Sequence, residues 1–262
     1  MDWAWPVYIC SLFLLVLVFF VPARLGAHRW ISVAGIFNIQ PSEIAKLAVI
    51  LMLARFFSNN RPEFISKARL AQAFLIVAVP FALILKEPDL GTGLILVPVF
   101  LSMLYFWGFS SKKILVLIGL GVLVAPLLIF FLKDYQRSRI LVFLNPNLDP
   151  LGAGYTIIQS KIAIGSGGFF GKGLFSGTQN RLQFLPEKHT DFIFAAAAEE
   201  LGFVGAIFLL LGLFIIIWRL IIIIEQPKNT TARAYVTGLF FALFAETLIH
   251  VGLNMGLLPI TG

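Results

Sequence analysis

An all-α, polytopic membrane helix bundle with a large external loop is the fold class this sequence predicts, and three observations predict it. Hydrophobic residues make up 59% of the 262 positions and charged residues only 13%, too little charge to clothe a water-soluble surface of this size. Mean hydropathy is +0.94. The apolar residues gather into runs near the length that crosses hydrocarbon, divided by polar joints.

The first run, 3 to 22, has no basic stretch ahead of it and, at roughly 20 residues, is long enough to span; it reads as a retained helix rather than a cleaved signal. Cys10, the one cysteine, lies inside it, which excludes a disulfide framework. Spans follow at 42 to 57 and 72 to 86. Both are short and carry Lys46, Arg55 and Pro80, so they are expected to be shielded by neighbouring helices. The next spans fall at 90 to 107 and 114 to 132. After a long polar stretch come 194 to 219, with continuation to Ile224, and 234 to 253. That makes seven helices. The stretch between the fifth and sixth is too long to be structureless, so short or re-entrant helices are expected in it, one across Tyr155 to Ile164. No repeat or low-complexity tract interrupts the chain. It is read as one domain, 1–262, with its external loop at about 133–191.

The net charge of +7 raises the question of nucleic acid. The basic residues sit between apolar spans without any aromatic-and-basic RNA-binding motif, which points to anionic lipids or lipid-linked phosphates instead. Arg55, Arg61, Lys67, Arg69, Lys112, Lys113, Arg219, Lys228 and Arg233 fall on one side; Arg24, Arg29 and Lys86 fall in short loops opposite. This nine-to-three bias places the first side in the cytoplasm. The stretch 133 to 190 is then external, and its seven basic against three acidic residues leave it at +4. That runs against the positive-inside tendency, so some external partner must favour those cations.

Polar residues at membrane depth are costly and therefore informative. Asp191 stands where the external loop meets the sixth span. A carboxylate held there with restricted water can act as a general base toward a sugar hydroxyl; Thr190 and Asp191 are equally good helix caps. Glu43 and Lys46 are three apart and share a helix face. They read either as the polar wall of a head-group cavity or as an inward structural pair, with Pro41 in the first turn. Asp89, in Lys86-Glu87-Pro88-Asp89-Leu90-Gly91-Thr92, either faces a pocket or caps the fourth span. Glu199 and Glu200 read as interfacial or interhelical. Glu246 and His250, four apart, read as a helix-packing pair, with a proton relay as the alternative.

The run Gly165-Ser166-Gly167-Gly168-Phe169-Phe170-Gly171-Lys172-Gly173 fits neither phosphate-loop pattern: it would need glycine at 166 and a hydroxyl residue at 173, and no G-x-G-x-x-G can be laid on it. A flexible loop offering Lys161 and Lys172 to a pyrophosphate remains, with a plain mobile loop as the alternative. No zinc spacing exists, and the histidines at 28, 189 and 250 are scattered.

Taken together and in order, the motifs resemble the SEDS family (shape, elongation, division and sporulation), and its elongation branch most. They are His28-Arg29-Trp30, Gln40-Pro41-Ser42-Glu43-Ile44-Ala45-Lys46, Pro88-Asp89-Leu90-Gly91-Thr92, Tyr135-Gln136 and Asp149 through Tyr155. They continue through the glycine run, Gly177-Thr178-Gln179, His189-Thr190-Asp191, Glu199-Glu200-Leu201-Gly202 and Gly256-Leu257-Leu258-Pro259. Ser160-Lys161 and Gly177-Thr178-Gln179 favour the elongation branch. The resemblance covers nearly the whole chain.

It implies a peptidoglycan glycosyltransferase of cell elongation. Such an enzyme polymerises lipid II, the undecaprenyl-pyrophosphate-linked disaccharide-pentapeptide, at the outer face of the bacterial plasma membrane beside a class B penicillin-binding protein and other elongation-complex membrane proteins. The family's essential aspartate falls on Asp191. Its polar-cavity residues fall on Glu43, Lys46 and Asp89. Lys161, Ser166, Lys172, Gln179 and His189 are the further substrate-binding candidates, with a divalent cation (Mg or Mn) as a candidate aid to pyrophosphate departure. Gln183 departs from the glutamate that relatives often carry. The family pattern also has helices ahead of Met1 and a further segment past Gly262, so the chain is expected to be a fragment. A flippase for the lipid-linked precursor is the rival reading, and an inactive scaffold the third.

Overall fold

The computed structural model describes residues 3–21, 29–33, 37–59, 66–87, 89–128, 134–150, 152–181, 184–185, 190–226 and 229–260. The chain is helical, as expected. Its elements are α1 (Ala4–Leu17), β1 (Ile31–Val33), β2 (Phe37–Ile39), α2 (Pro41–Asn59), α3 (Lys67–Lys86), α4 (Leu90–Phe106), α5 (Ser111–Leu128), α6 (Asp134–Leu144), α7 (Ala153–Ser166), α8 (Thr178–Arg181), α9 (Ile193–Glu225) and α10 (Thr230–Asn254). Each of the seven apolar runs coincides with one helix. The helix expected across Tyr155 to Ile164 is α7, two residues longer at each end.

Among the described residues three helices are long and apolar enough to cross a membrane, α3, α9 and α10; α4 and the run Ala4–Phe20 are shorter apolar helices. Among the described residues the one departure from an all-helical reading is a pair of short strands. β1 and β2 pair antiparallel with Ile31 opposite Ile39, three residues a side, too short for any alternation to announce it.

The chain divides into two compact units, 1–116 with 218–245 and 117–217 with 246–262. In the first, α2 runs through the middle. Leu15, Ile50, Leu53, Ile84, Leu96, Met103 and Leu104 are fully buried. Phe57 stacks on Trp107 with ring centroids 4.7 Å apart. Tyr8 Oη donates to the Ile76 carbonyl oxygen at 2.9 Å, tying α1 to α3. Gly238 of α10 lies so close to Ile50 and Met103 that a methyl there would overlap both side chains. Small residues at such crossings let helices approach closely where lipid removes the hydrophobic drive for helix association. In the second unit, Ala163, Leu185, Phe192, Ala195, Ala196 and Leu253 form a core joining α7, the start of α9 and the end of α10.

Candidate active site

α9 is a broken helix, and the break organises the long loop ahead of it. At Gly202 the backbone turns to φ 70°, ψ −169°, a region open to glycine and strained for residues with a Cβ. Breaking a helix orphans its carbonyls on one side and its N–H groups on the other. The glycine run meets these groups. Lys172 N donates to the Glu199 carbonyl and Gly173 N to the Glu200 carbonyl, both at 3.0 Å; Phe203 N donates to Gly168 O at 2.8 Å and Val204 N to Phe169 O at 3.1 Å. A methyl at Gly171 or Gly202 would collide with the opposing backbone. The run expected to be a free loop is therefore pinned to α9. Gly167 and Gly171 in it serve close backbone approach to α9.

Side chains secure the same loop. Glu199 is fully buried, and its Oε1 accepts from Lys172 Nζ at 2.8 Å, from Thr178 Oγ1 at 3.0 Å and from the Gln179 backbone N–H at 3.1 Å. Lys172, expected to offer its charge to a pyrophosphate, gives it to Glu199 and also donates to Thr178 Oγ1. Gln179 takes part through its backbone, while its own Oε1 is buried with no hydrogen bond from the described residues. Ser166 caps the end of α7 by donating to the Ala163 carbonyl.

Asp191 lies two residues before α9 and is half-buried. Its neighbour Phe192 is buried in the core, which fixes the backbone on one side. Asn254 fixes it on the other: Nδ2 donates to the Asp191 carbonyl at 2.7 Å, while Oδ1 accepts the Ala195 N–H at 2.8 Å. The amide of Asn254, at the end of α10, thus caps the first turn of α9. Its Nδ2 also reaches the His250 carbonyl, and its own carbonyl takes the Ser160 hydroxyl at 2.7 Å. Every polar atom of this buried side chain is met, as an apolar surrounding demands. One residue after Ser160, Lys161 is exposed and crosses Gly256, where an added methyl would collide with its Cε and Nζ. Asp191 and Lys161 are thus both registered by the turn that ends α10. Sequence reasoning missed Asn254; the signal available was an amide at the end of a long apolar run, where it must find partners.

A second polar cluster occupies the first unit. Asp89 caps α4 by accepting from Thr92 N at 3.2 Å and Thr92 Oγ1 at 2.9 Å, and it also accepts from Gln40 Nε2 at 2.9 Å and Ser42 Oγ at 3.3 Å. At 4% exposure it joins the entry of α2 to the entry of α4. Buried Lys46 pairs with half-exposed Glu43 at 2.9 Å. Glu87 is fully buried, and among the described residues neither carboxyl oxygen has a hydrogen-bond partner. Arg29 Nε donates to its backbone carbonyl at 3.1 Å. Burial first and the Asp89 charge second push the Glu87 carboxyl up to about 8, with Arg29 opposing.

Among the described residues no three His, Cys, Asp or Glu side chains converge to hold a metal ion. His189 and Gln183 lie outside the described residues.

The family model described as Cell cycle protein, covering FtsW, RodA and SpoVE, matches residues 1–262. The peptidoglycan glycosyltransferase MrdB of Escherichia coli is 44% identical over 264 residues, covering all of this chain and 70% of that protein. The stage V sporulation protein E of Bacillus subtilis is 39% identical over 268 residues, covering all of this chain and 71% of that protein. Among solved structures, one described as the structural coordination of polymerization and crosslinking by a peptidoglycan synthase complex superposes with a TM-score of 0.80 at 33% identity, over all of this chain and 73% of that one. The rod shape determining protein RodA of Thermus thermophilus superposes with a TM-score of 0.68 at 25% identity, over all of this chain and 69% of that one. With the motifs, the helical architecture and these matches in agreement, the chain belongs to the FtsW, RodA and SpoVE family of membrane proteins.

Proposed function

We propose that the chain is a peptidoglycan glycosyltransferase that polymerises lipid II into glycan strands during cell elongation. The observation that carries this reading is the half-buried Asp191, registered through its own carbonyl by the fully satisfied amide of Asn254. The names of the relatives support the same chemistry. Asp191 takes the proton of the acceptor sugar hydroxyl, whose oxygen attacks the anomeric carbon of the donor. The glycosidic bond forms as the bond to the lipid pyrophosphate breaks, and the leaving group departs with the electron pair. Lys161, exposed beside the same helix end, is the cation proposed to receive that negative charge. Ser166, Gln179 and His189 are further proposed contacts. Lys172 contributes by holding the loop, and Glu43, Lys46 and Asp89 are the proposed polar contacts of the other unit.

The nine-to-three distribution of basic residues supports a multi-pass protein of the bacterial plasma membrane with Asp191 facing outward. A class B penicillin-binding protein is the proposed partner, in keeping with a structural relative described in a complex that polymerises and crosslinks.

The decisive experiment gives the purified protein lipid II and follows glycan length. Asp191→Asn should lose on the order of a hundredfold or more in polymerisation while still binding lipid II. Unchanged polymer yield removes Asp191 as the base. Movement of labelled lipid II across vesicles without polymer would indicate transport instead.

A further inference from the structure

The loop pinned to the break in α9 carries four large apolar side chains that the second unit leaves uncovered. Phe169, Phe170, Leu174 and Phe175 are 70%, 84%, 65% and 86% exposed. Phe175 is also the only described residue other than glycine with positive φ, at 61°. A left-handed backbone is unfavourable for an aromatic residue, and here it presents a phenyl ring to the surroundings rather than to the core. Four such residues within seven positions of an otherwise polar loop call for an occupant.

The position of the loop along α9 identifies that occupant. The break at Gly202 divides α9, and the part after it, from Phe203 to Glu225, has 23 residues, roughly 35 Å at 1.5 Å per residue, enough to cross a hydrocarbon core of about 30 Å. Glu199 and Glu200 precede the break. From Phe203 to Ile224 the sequence is apolar but for Arg219 near its far end, and the most hydropathic window of the helix is 0% buried within the protein. The helix therefore enters lipid at about Gly202. The loop is bonded to that point through Gly168 and Phe169, and the Phe169 ring meets the Phe203 ring edge-on with centroids 5.8 Å apart. The apolar face of the loop is thus continuous with the lipid-facing surface of α9.

We propose that Phe169, Phe170, Leu174 and Phe175 form a membrane-interface anchor that rests in the head-group and acyl boundary of the bilayer, setting the height of the external loop above the membrane. Apolar side chains at that depth leave water while backbone and charged neighbours stay hydrated. Lys172 sits among them with its charge turned back to Glu199, so the anchoring face is uncharged.

The test uses the full chain in vesicles of phosphatidylethanolamine and phosphatidylglycerol, with Cys10→Ser removing the one native thiol and a nitroxide placed in turn at Phe170→Cys, Phe175→Cys and Phe203→Cys. All three sites are exposed, so the label displaces no core neighbour. The proposal expects oxygen to relax the labels at 170 and 175 more than a water-soluble nickel chelate does, at a depth close to that of 203. Chelate-dominated relaxation at either loop position overturns it. So does a label shielded from both reagents, which would mean that protein, such as a second copy of the chain, covers the loop.

Discussion

Asn254 and Asp191 are 63 residues apart in sequence, yet the amide of the first donates to the carbonyl of the second across 2.7 Å. The same amide caps the first turn of α9 through Ala195. A single side chain therefore sets both the backbone of the proposed base and the helix that follows it.

Replacing Asn254 by leucine should weaken structure and catalysis together. The Asp191 carbonyl and the Ala195 N–H would lose their partner in a buried setting, at about 1–3 kcal/mol for each group left unmet. Thermal unfolding in detergent should show a lower midpoint, and polymerisation should fall more than lipid II binding does, because the base moves while the lipid sites stay. A leucine variant with full polymer yield would mean that Asp191 is held by other contacts.

The pair of buried Glu199 and partly exposed Lys172 gives an asymmetric expectation. Glu199→Ala strands the Lys172 ammonium and two further donors, Thr178 Oγ1 and Gln179 N–H, at a cost below the about 3–5 kcal/mol of a fully buried pair, because water reaches the ammonium. The double variant Lys172→Met, Glu199→Met should be milder, since no charge is left without its counterpart. Limited proteolysis between 169 and 181 reads the difference: cleavage should speed up strongly in the single variant and less in the double.

Gly202→Ala should open the break in α9. Its Cβ would meet Gly171 N and Phe169 O from a left-handed backbone, so either the helix straightens or the loop detaches. Amide hydrogen exchange at Lys172, Gly173, Phe203 and Val204 should rise together, because these four donors close the break. Exchange confined to one strand of the contact would contradict the pairing.

These three cases show what the sequence could and could not reveal. The membrane helices were legible because hydrocarbon thickness imposes a length on any apolar run, and α7 was legible because a long stretch must contain structure. Gly202 was invisible as a break, since a glycine in an apolar run is also ordinary helix packing. The Glu199 and Lys172 pair spans 27 residues, and no local spacing rule joins residues so far apart. Lys161 stands out in the sequence by its charge, whereas its registration by Gly256 depends on the end of α10 folding back onto α7.

Glu87 makes stability depend on pH in a direction unusual for a carboxylate. Its folded value of about 8 lies above the ordinary 4.5. Below about pH 4.5 the group is neutral in folded and unfolded chains alike, and its burial is not penalised by charge. Between 4.5 and about 8 the unfolded chain releases a proton that the folded chain retains, so stability falls as pH rises, by at most about 1.4 kcal/mol per pH unit. Above about 8 the loss is complete, and the carboxylate is charged where the described residues offer its oxygens no hydrogen bond. Glu87→Gln removes the titration. Denaturation midpoints measured from pH 4.5 to 8 should decline more steeply for the parent than for the glutamine variant, which should be the more stable at pH 8. Parallel curves would mean that Glu87 ionises freely, through a rearrangement that brings water or Arg29 to its oxygens.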